Sequence, residues 1–80
     1  MEREENLQRV KEVVSDVLAV PLEDINEGDE FIADLGAESI QSMELVAAFE
    51  DEFEIEMDEE AALQVQTVGD VVDFIAEYVD

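Results

Sequence analysis

Hydrophobic positions recur with helical spacing in three segments of the chain. In the first, every residue from 7 to 18 is polar except Leu7, Val10, Val13, Val14, Val17 and Leu18. This spacing predicts an amphipathic helix, because strand alternation would place Arg9 and Lys11 on the same face as Leu7. Pro21 ends the pattern, since the residue before a proline disfavours the helical region.

The second helical segment, predicted from about Ser39 to Phe53, has apolar side chains on two faces. At about 100° per residue, one cluster should face the core, and it consists of Leu45, Val46, Phe49 and Phe53. A narrow apolar strip lies on the other side among acidic residues, and it consists of Ile40, Met43 and Ala47. Two interpretations stay open: Ile40 and Met43 pack under a loop, or strip and acids together form a docking surface for a basic partner.

The remaining segments complete a helical pattern. A last helix should begin at Thr67, which with Asp70 makes a T-x-x-D capping signal, and residues 58–63 could form a short helical turn. Residues 22–38 lack periodicity and predict a long loop, anchored by Ile25, Phe31, Ile32 and Leu35. The sequence thus predicts an all-α fold, a small four-helix bundle with three main helices and one short helix. The long loop joins helices one and two, and residues 1–80 form a single domain.

The amino-acid composition excludes several classes of function. The chain has 25 acidic and 3 basic residues, no histidine and no cysteine, for a formal net charge of −22. Leu, Ile, Val and Phe make up 26 of the 80 residues, too many for a disordered acidic tail. So few cations cannot neutralise a phosphate backbone, which excludes ordinary nucleic-acid binding. Without thiol or imidazole we expect neither an enzyme nor a Cys- or His-based metal site. The acidic loop lacks a complete EF-hand motif, so no metal-ligand residues are assigned, although unspecific divalent-ion binding stays open. With no signal peptide and no membrane-spanning run, we expect a cytoplasmic protein.

Ser39 is the candidate for covalent chemistry. Serine is a favoured helix N-cap, and capping alone could explain its position. Nothing near it in sequence could activate its hydroxyl, so a separate enzyme would have to modify it. A phosphodiester attached there would be stabilised by the helix dipole and by free backbone N–H groups.

The segment DLGAESI, followed by an acidic helix, resembles the acyl carrier protein family, whose motif reads DLGADSL. The resemblance spans essentially the whole chain, including SIQSMELVAAFEDEF and TVGDVVDFI. It implies that Ser39 carries a 4′-phosphopantetheine arm, installed from coenzyme A by a separate phosphopantetheinyl transferase (a holo-carrier synthase). The arm's thiol would hold acyl groups as thioesters, which suits a chain that has no cysteine of its own.

The resemblance also implies partners. Acyl-transferring and chain-elongating enzymes of fatty-acid, polyketide or related biosynthesis would bind through basic patches. The matching positions here are Glu38, Ile40, Met43, Glu44, Ala47, Glu50 and Asp51. The family fold is a four-helix bundle whose core can open to shelter an acyl chain, and we expect a monomer.

Three positions depart from the family pattern and leave a specialised carrier open. Glu38 replaces the usual aspartate, Gln41 stands where an acid is common, and Ala47 stands where a larger apolar residue is common. The alternative from another class is an acidic interaction protein, such as a nucleic-acid mimic, that binds basic surfaces without a prosthetic group.

Overall fold

The computed structural model describes residues 2–79, together with their side chains except that of Ser39. It contains four α-helices: α1 (Arg3–Leu18), α2 (Ser39–Phe53), α3 (Glu59–Gln64) and α4 (Val68–Val79). A single 3₁₀ turn, Leu22–Asp24, lies in the long connection between α1 and α2. Helix α1 packs against both α2 and α4, and α3 packs against α2. The predicted all-α bundle is confirmed.

Helix α1 begins one turn earlier than its apolar pattern. Its first turn starts at Arg3 and consists of polar residues, of which Asn6 is buried. The helix ends where Ala19 adopts the left-handed conformation (φ 57°), two residues before Pro21. The end that Pro21 predicts is therefore confirmed, and the start is earlier than hydrophobic periodicity alone can show.

The core combines apolar faces from all four helices. The second helix contributes the four residues that its period predicts, since Leu45, Val46, Phe49 and Phe53 are all buried. The other fully buried apolar side chains come mainly from α1, the long loop and α4, and include Val10, Val14, Ile25, Val68, Val72 and Ile75. One polar side chain lies among them: Asn6 is fully buried, and neither its Oδ1 nor its Nδ2 meets a hydrogen-bonding group elsewhere in residues 2–79.

The long loop is anchored as predicted at three of four positions. Ile25 and Phe31 are buried, and Leu35 is partly buried against the core. Ile32 is instead 63% exposed, so its predicted role as an anchor is wrong. Phe31 and Ile32 are consecutive residues in a turn, where only one of the two side chains can point inward. Because the loop has no hydrophobic period, its sequence does not indicate which of the two is buried.

Backbone hydrogen bonds dock the loop on the start of α4. The Phe31 N–H donates to the Gln66 carbonyl at 3.0 Å, and the Val68 N–H donates to the Asp29 carbonyl at 3.1 Å. The Gly69 N–H donates to the Glu27 carbonyl at 2.8 Å. The predicted cap is also present, since the Thr67 hydroxyl accepts from the Asp70 N–H at 3.1 Å. Loop carbonyls thus bind amides at the start of α4 that the helix cannot pair internally.

Arg3 ties three elements together at this junction. Its guanidinium binds the Glu27 carboxylate bidentately, at 2.7 and 3.0 Å, and donates to Asp73 of α4 at 2.9 Å. The hydrogen bond from Arg3 is the main reason that the pKa of Glu27 lies below its usual range. The hydrogen bonds that Arg3 donates to Glu27 and then to Asp73 raise the pKa of Arg3. The pairs are largely exposed, so their role is to orient the loop rather than to supply large stabilisation.

Candidate functional site

The loop that leads into α2 is held by its own hydrogen bonds. The Glu30 carbonyl accepts from the N–H groups of Asp34 and Leu35, and the Asp34 carboxylate accepts from the Glu30 N–H at 2.8 Å. Gly36 follows in the left-handed region (φ 74°), a conformation that glycine adopts without a Cβ clash. Asp34 therefore shapes this turn, a role that its position before the serine did not reveal.

Ser39 is the first helical residue of α2 and not its N-cap. The N-cap is Glu38, whose backbone is extended (φ −89°, ψ 163°). The Gln41 side chain accounts for this, because its Oε1 accepts from the Glu38 N–H at 2.9 Å and closes the first turn on Glu38. The predicted start of α2 at about Ser39 is confirmed, and the alternative interpretation, that Ser39 serves only as the N-cap, does not apply. Its side chain lies outside the described part of the structure.

The apolar strip on the outer face of α2 lies in solvent. Ile40 is 65% exposed, Met43 is 57% exposed, and Ala47 is also exposed. The interpretation that Ile40 and Met43 pack under the loop is therefore wrong. The acids Glu38, Glu44 and Asp51 are exposed as well, so the structure brings six of the seven predicted partner-binding residues to the surface.

Glu50 differs from the other predicted partner-binding residues. It is half-buried, and its Oε2 accepts from the backbone N–H of Met57 at 2.9 Å. Its backbone carbonyl also accepts from the N–H groups of Glu54 and Ile55. Glu50 thus organises the end of α2 and the following turn, in addition to any role at the surface.

A cavity of about 330 Å³ opens between α2, α3, α4 and the long loop. Its walls are mainly apolar and include Phe31, Leu45, Val46, Phe49, Met57, Ala62, Leu63, Val65, Val71 and Phe74. Ile32 also lines it, together with Ser42, which lies on the same face as Ser39 one turn further along α2. Ile32 and Leu63, 63% and 50% exposed, connect the cavity with the surface.

Hydrophobic periodicity carried no signal for this cavity. The wall residues of α2 and α4 belong to elements whose period indicates only that they face inward, and those of the long loop have no period at all. Whether facing side chains meet or leave a space depends on how the elements cross. The exposed positions of Ile32 and Leu63, an isoleucine in a loop and a leucine in a six-residue helix, were missed for the same reason.

Both arginines of α1 bind acids of other elements. Arg9 binds the Glu52 carboxylate at 2.9 Å, donates to the Glu52 backbone carbonyl, and lies 4.4 Å from the Phe53 ring centroid. Residues 2–79 contain no group of three or more acidic side chains arranged to hold a metal ion. Within the same span, no helix is long and apolar enough to cross a membrane.

Three comparisons relate the chain to known proteins. The sequence profile of the phosphopantetheine attachment site family matches residues 8–75. An acyl carrier protein from Sinorhizobium fredii is 52% identical over 68 residues, 85% of this chain and 87% of that protein. An acyl carrier protein from Caulobacter vibrioides is 49% identical over 71 residues, which cover 89% of this chain and 91% of that protein. A solved Mycobacterium tuberculosis chain assigned as an acyl carrier protein superposes with a TM-score of 0.83 at 26% identity, covering 90% of this chain and 96% of that one.

Proposed function

Because the chain belongs to the acyl carrier protein family, we propose that it bears its 4′-phosphopantetheine on the Ser39 oxygen. Members of this family are carriers rather than enzymes, which favours this function over an acidic interaction protein or nucleic-acid mimic. When bound, the arm supplies a terminal thiol for thioester formation. The observation that supports Ser39 is its position as the first residue of α2, directly after DLGAE, with the capping position taken by Glu38.

The surroundings of Ser39 fit a phosphodiester with a flexible arm. The first turn of α2 presents backbone N–H groups and the positive end of a 15-residue helix, both of which stabilise an anion. Ser42, one turn after Ser39 along α2, lines the cavity.

We propose that the cavity shelters the acyl cargo. At about 330 Å³ it lies within the range of small-molecule sites, roughly 300–1,000 Å³, and its wall is mainly apolar. Glu30, Ser42 and Gln66 supply the polar part of its lining. Burying an alkyl chain there removes apolar surface from water, about 0.8 kcal/mol for each methylene.

The exposed face of α2 is proposed as the docking surface for partner enzymes. It combines an apolar strip with exposed acids, an arrangement that steers a basic partner and then offers it contact area. We propose a phosphopantetheinyl transferase as one partner, and acyl-transferring and chain-elongating enzymes of fatty-acid, polyketide or related biosynthesis as the others. The high identity to proteins named acyl carrier protein supports this class. The cytoplasmic location and the monomeric state stay predictions.

Intact-mass analysis tests the attachment site. The full chain is incubated with coenzyme A, Mg²⁺ and a phosphopantetheinyl transferase, and we expect the mass of one phosphopantetheinyl group to be added. Ser39→Ala should gain nothing, whereas the matched control Ser42→Ala, one turn further along α2, should be modified normally. An unchanged mass of the natural chain with several competent transferases would contradict the proposal, as would modification of Ser39→Ala.

A further inference from the structure

Met43 is the methionine of the exposed apolar strip on α2. It is 57% exposed, whereas Met57 is 8% exposed and lies in the wall of the large cavity. Met1, the third methionine, lies outside the described residues. Because the chain has no cysteine, a thioether is its most readily oxidised side chain before a prosthetic thiol is attached. Of the two described methionines, Met43 is the one that an oxidant in solution reaches directly.

The charges around Met43 select the kind of oxidant. A net charge of −22 repels anionic oxidants but not neutral hydrogen peroxide. Glu50 and Glu59 line the same small hollow as Met43, a space of about 40 Å³ between α2 and α3. Sulfur becomes partly positive as it attacks a peroxide, and nearby carboxylates stabilise that charge. The surroundings of Met43 therefore favour oxidation by a neutral peroxide.

The place of Met43 on α2 makes a change at its sulfur consequential. In the strip, Met43 lies between the other two apolar residues, Ile40 and Ala47. It also follows Ser39 by four residues, about one helical turn. A sulfoxide is polar where the thioether is apolar, and a partner that covers the strip would have to remove water from it. Because Met43 is not part of the core, the same change should leave the bundle folded.

We propose that Met43 is a site of reversible oxidation by hydrogen peroxide, and that its sulfoxide weakens the docking of partner enzymes on α2. The thioether sulfur donates an electron pair to one peroxide oxygen, so that the S–O bond forms as the O–O bond breaks. The second oxygen leaves with both hydrogens as water. The sulfur is thereby oxidised and the peroxide is reduced by the same electron pair. The part of the inference that concerns docking rests on the proposed function.

Peptide mapping by mass spectrometry tests the oxidation site. The full chain without its prosthetic group is treated with excess hydrogen peroxide, and the added oxygen is assigned separately to Met1, Met43 and Met57 over time. We expect Met43 to be oxidised about tenfold faster than Met57, because oxidation follows exposure of the sulfur. Met43 should also react within about threefold of the rate of N-acetylmethionine amide, the fully exposed reference. A rate at Met43 no greater than that at Met57 would overturn the inference.

Calorimetry with a phosphopantetheinyl transferase tests the effect on docking. The peroxide is removed while Met57 is still unmodified, and circular dichroism verifies that the oxidised chain keeps its helices. This chain should bind about fivefold more weakly than the untreated chain, and the two methionine sulfoxide reductases, one for each epimer, should restore the affinity. Met43→Leu is the matched control, since leucine is similar in size but resists peroxide. The same treatment should leave the affinity of this variant at its own starting value.

Equal affinities of the oxidised and untreated chains would overturn the effect on docking, and so would an equal loss of affinity in Met43→Leu. The mass assay on Ser39 separates this failure from that of the proposed function. If Ser39 is modified in the untreated chain and oxidation leaves binding unchanged, the inference is wrong and the carrier function stands. If Ser39 is never modified, the carrier proposal fails and the effect on docking fails with it, whereas the peptide map still decides the selectivity for Met43.

Discussion

Replacing Gly69 by alanine should have two opposite effects on stability at the junction between the long loop and α4: a gain in helix propensity and a steric clash with the loop. Gly69 lies buried in the first turn of α4, and its N–H donates to the Glu27 carbonyl at 2.8 Å. A Cβ at this position would lie 2.9 Å from Glu27 Cγ, 3.1 Å from Glu27 Oε2 and 3.2 Å from the Glu27 carbonyl oxygen. The loop would have to move away from the helix.

The steric effect should win. Alanine gains about 0.5–1 kcal/mol over glycine inside a helix, and less in a first turn. Overpacking a close contact costs about 1–3 kcal/mol, and here the crowded atoms belong partly to backbone and to a side chain held by Arg3. We expect a net destabilisation of about 1 kcal/mol. For a domain of this size that lowers the Tm by about 4–8 °C.

Thermal unfolding followed by circular dichroism provides the measurement, and Gly28→Ala is the matched control. A Cβ at Gly28 meets nothing within 4 Å, and its φ is not positive. This variant should therefore be neutral or stabilised by up to about 1 kcal/mol. Gly69→Ala should be less harmful in a Glu27→Ala background, where the Cγ contact is absent. A Tm of Gly69→Ala equal to or above that of the natural chain would refute the reasoning.

Three further predictions concern single side chains. Glu44→Lys or Asp51→Lys should weaken binding of a basic transferase about tenfold, as measured by calorimetry at low salt. A loss of affinity that is the same at low and high salt would contradict electrostatic docking. Glu27→Gln should lower the free energy of unfolding near neutral pH, because the natural Glu27 carboxylate binds Arg3, which lowers the folded-state pKa of Glu27. The stabilisation by Glu27 is fully present above the ordinary glutamate pKa. It disappears as the pH falls through the lowered folded-state pKa. Urea titrations across pH check this, and a pH-independent difference would disprove it. Asn6→Leu should raise the Tm by about 4–8 °C, since it removes a buried amide that has no hydrogen-bond partner within residues 2–79, at a gain of about 1 kcal/mol. A lower Tm in thermal unfolding would contradict this prediction.

Local sequence was sufficient wherever the spacing of neighbouring side chains carries the information. The buried face of α2 and the Thr67 cap of α4 both follow from separations of three or four residues. The same spacing placed Ile40 and Met43 on one outer strip, but only the structure shows that the loop does not cover them. Such separations bring side chains onto one face of a helix whatever the rest of the chain does. The acidic surface likewise follows from composition, as does the prediction that any covalent modification of Ser39 requires a separate enzyme.

Tertiary structure decided the features that depend on how elements meet. Gln41 fixed Glu38 as the N-cap of α2, so that Ser39 is the first helical residue, and a turn pointed Phe31 inward and Ile32 outward. The Glu50 carboxylate reached the Met57 amide across the end of a helix, where no period relates the two residues. The cavity exists because the helices and the loop cross without closing the space between them, and that space is a property of their packing rather than of any segment.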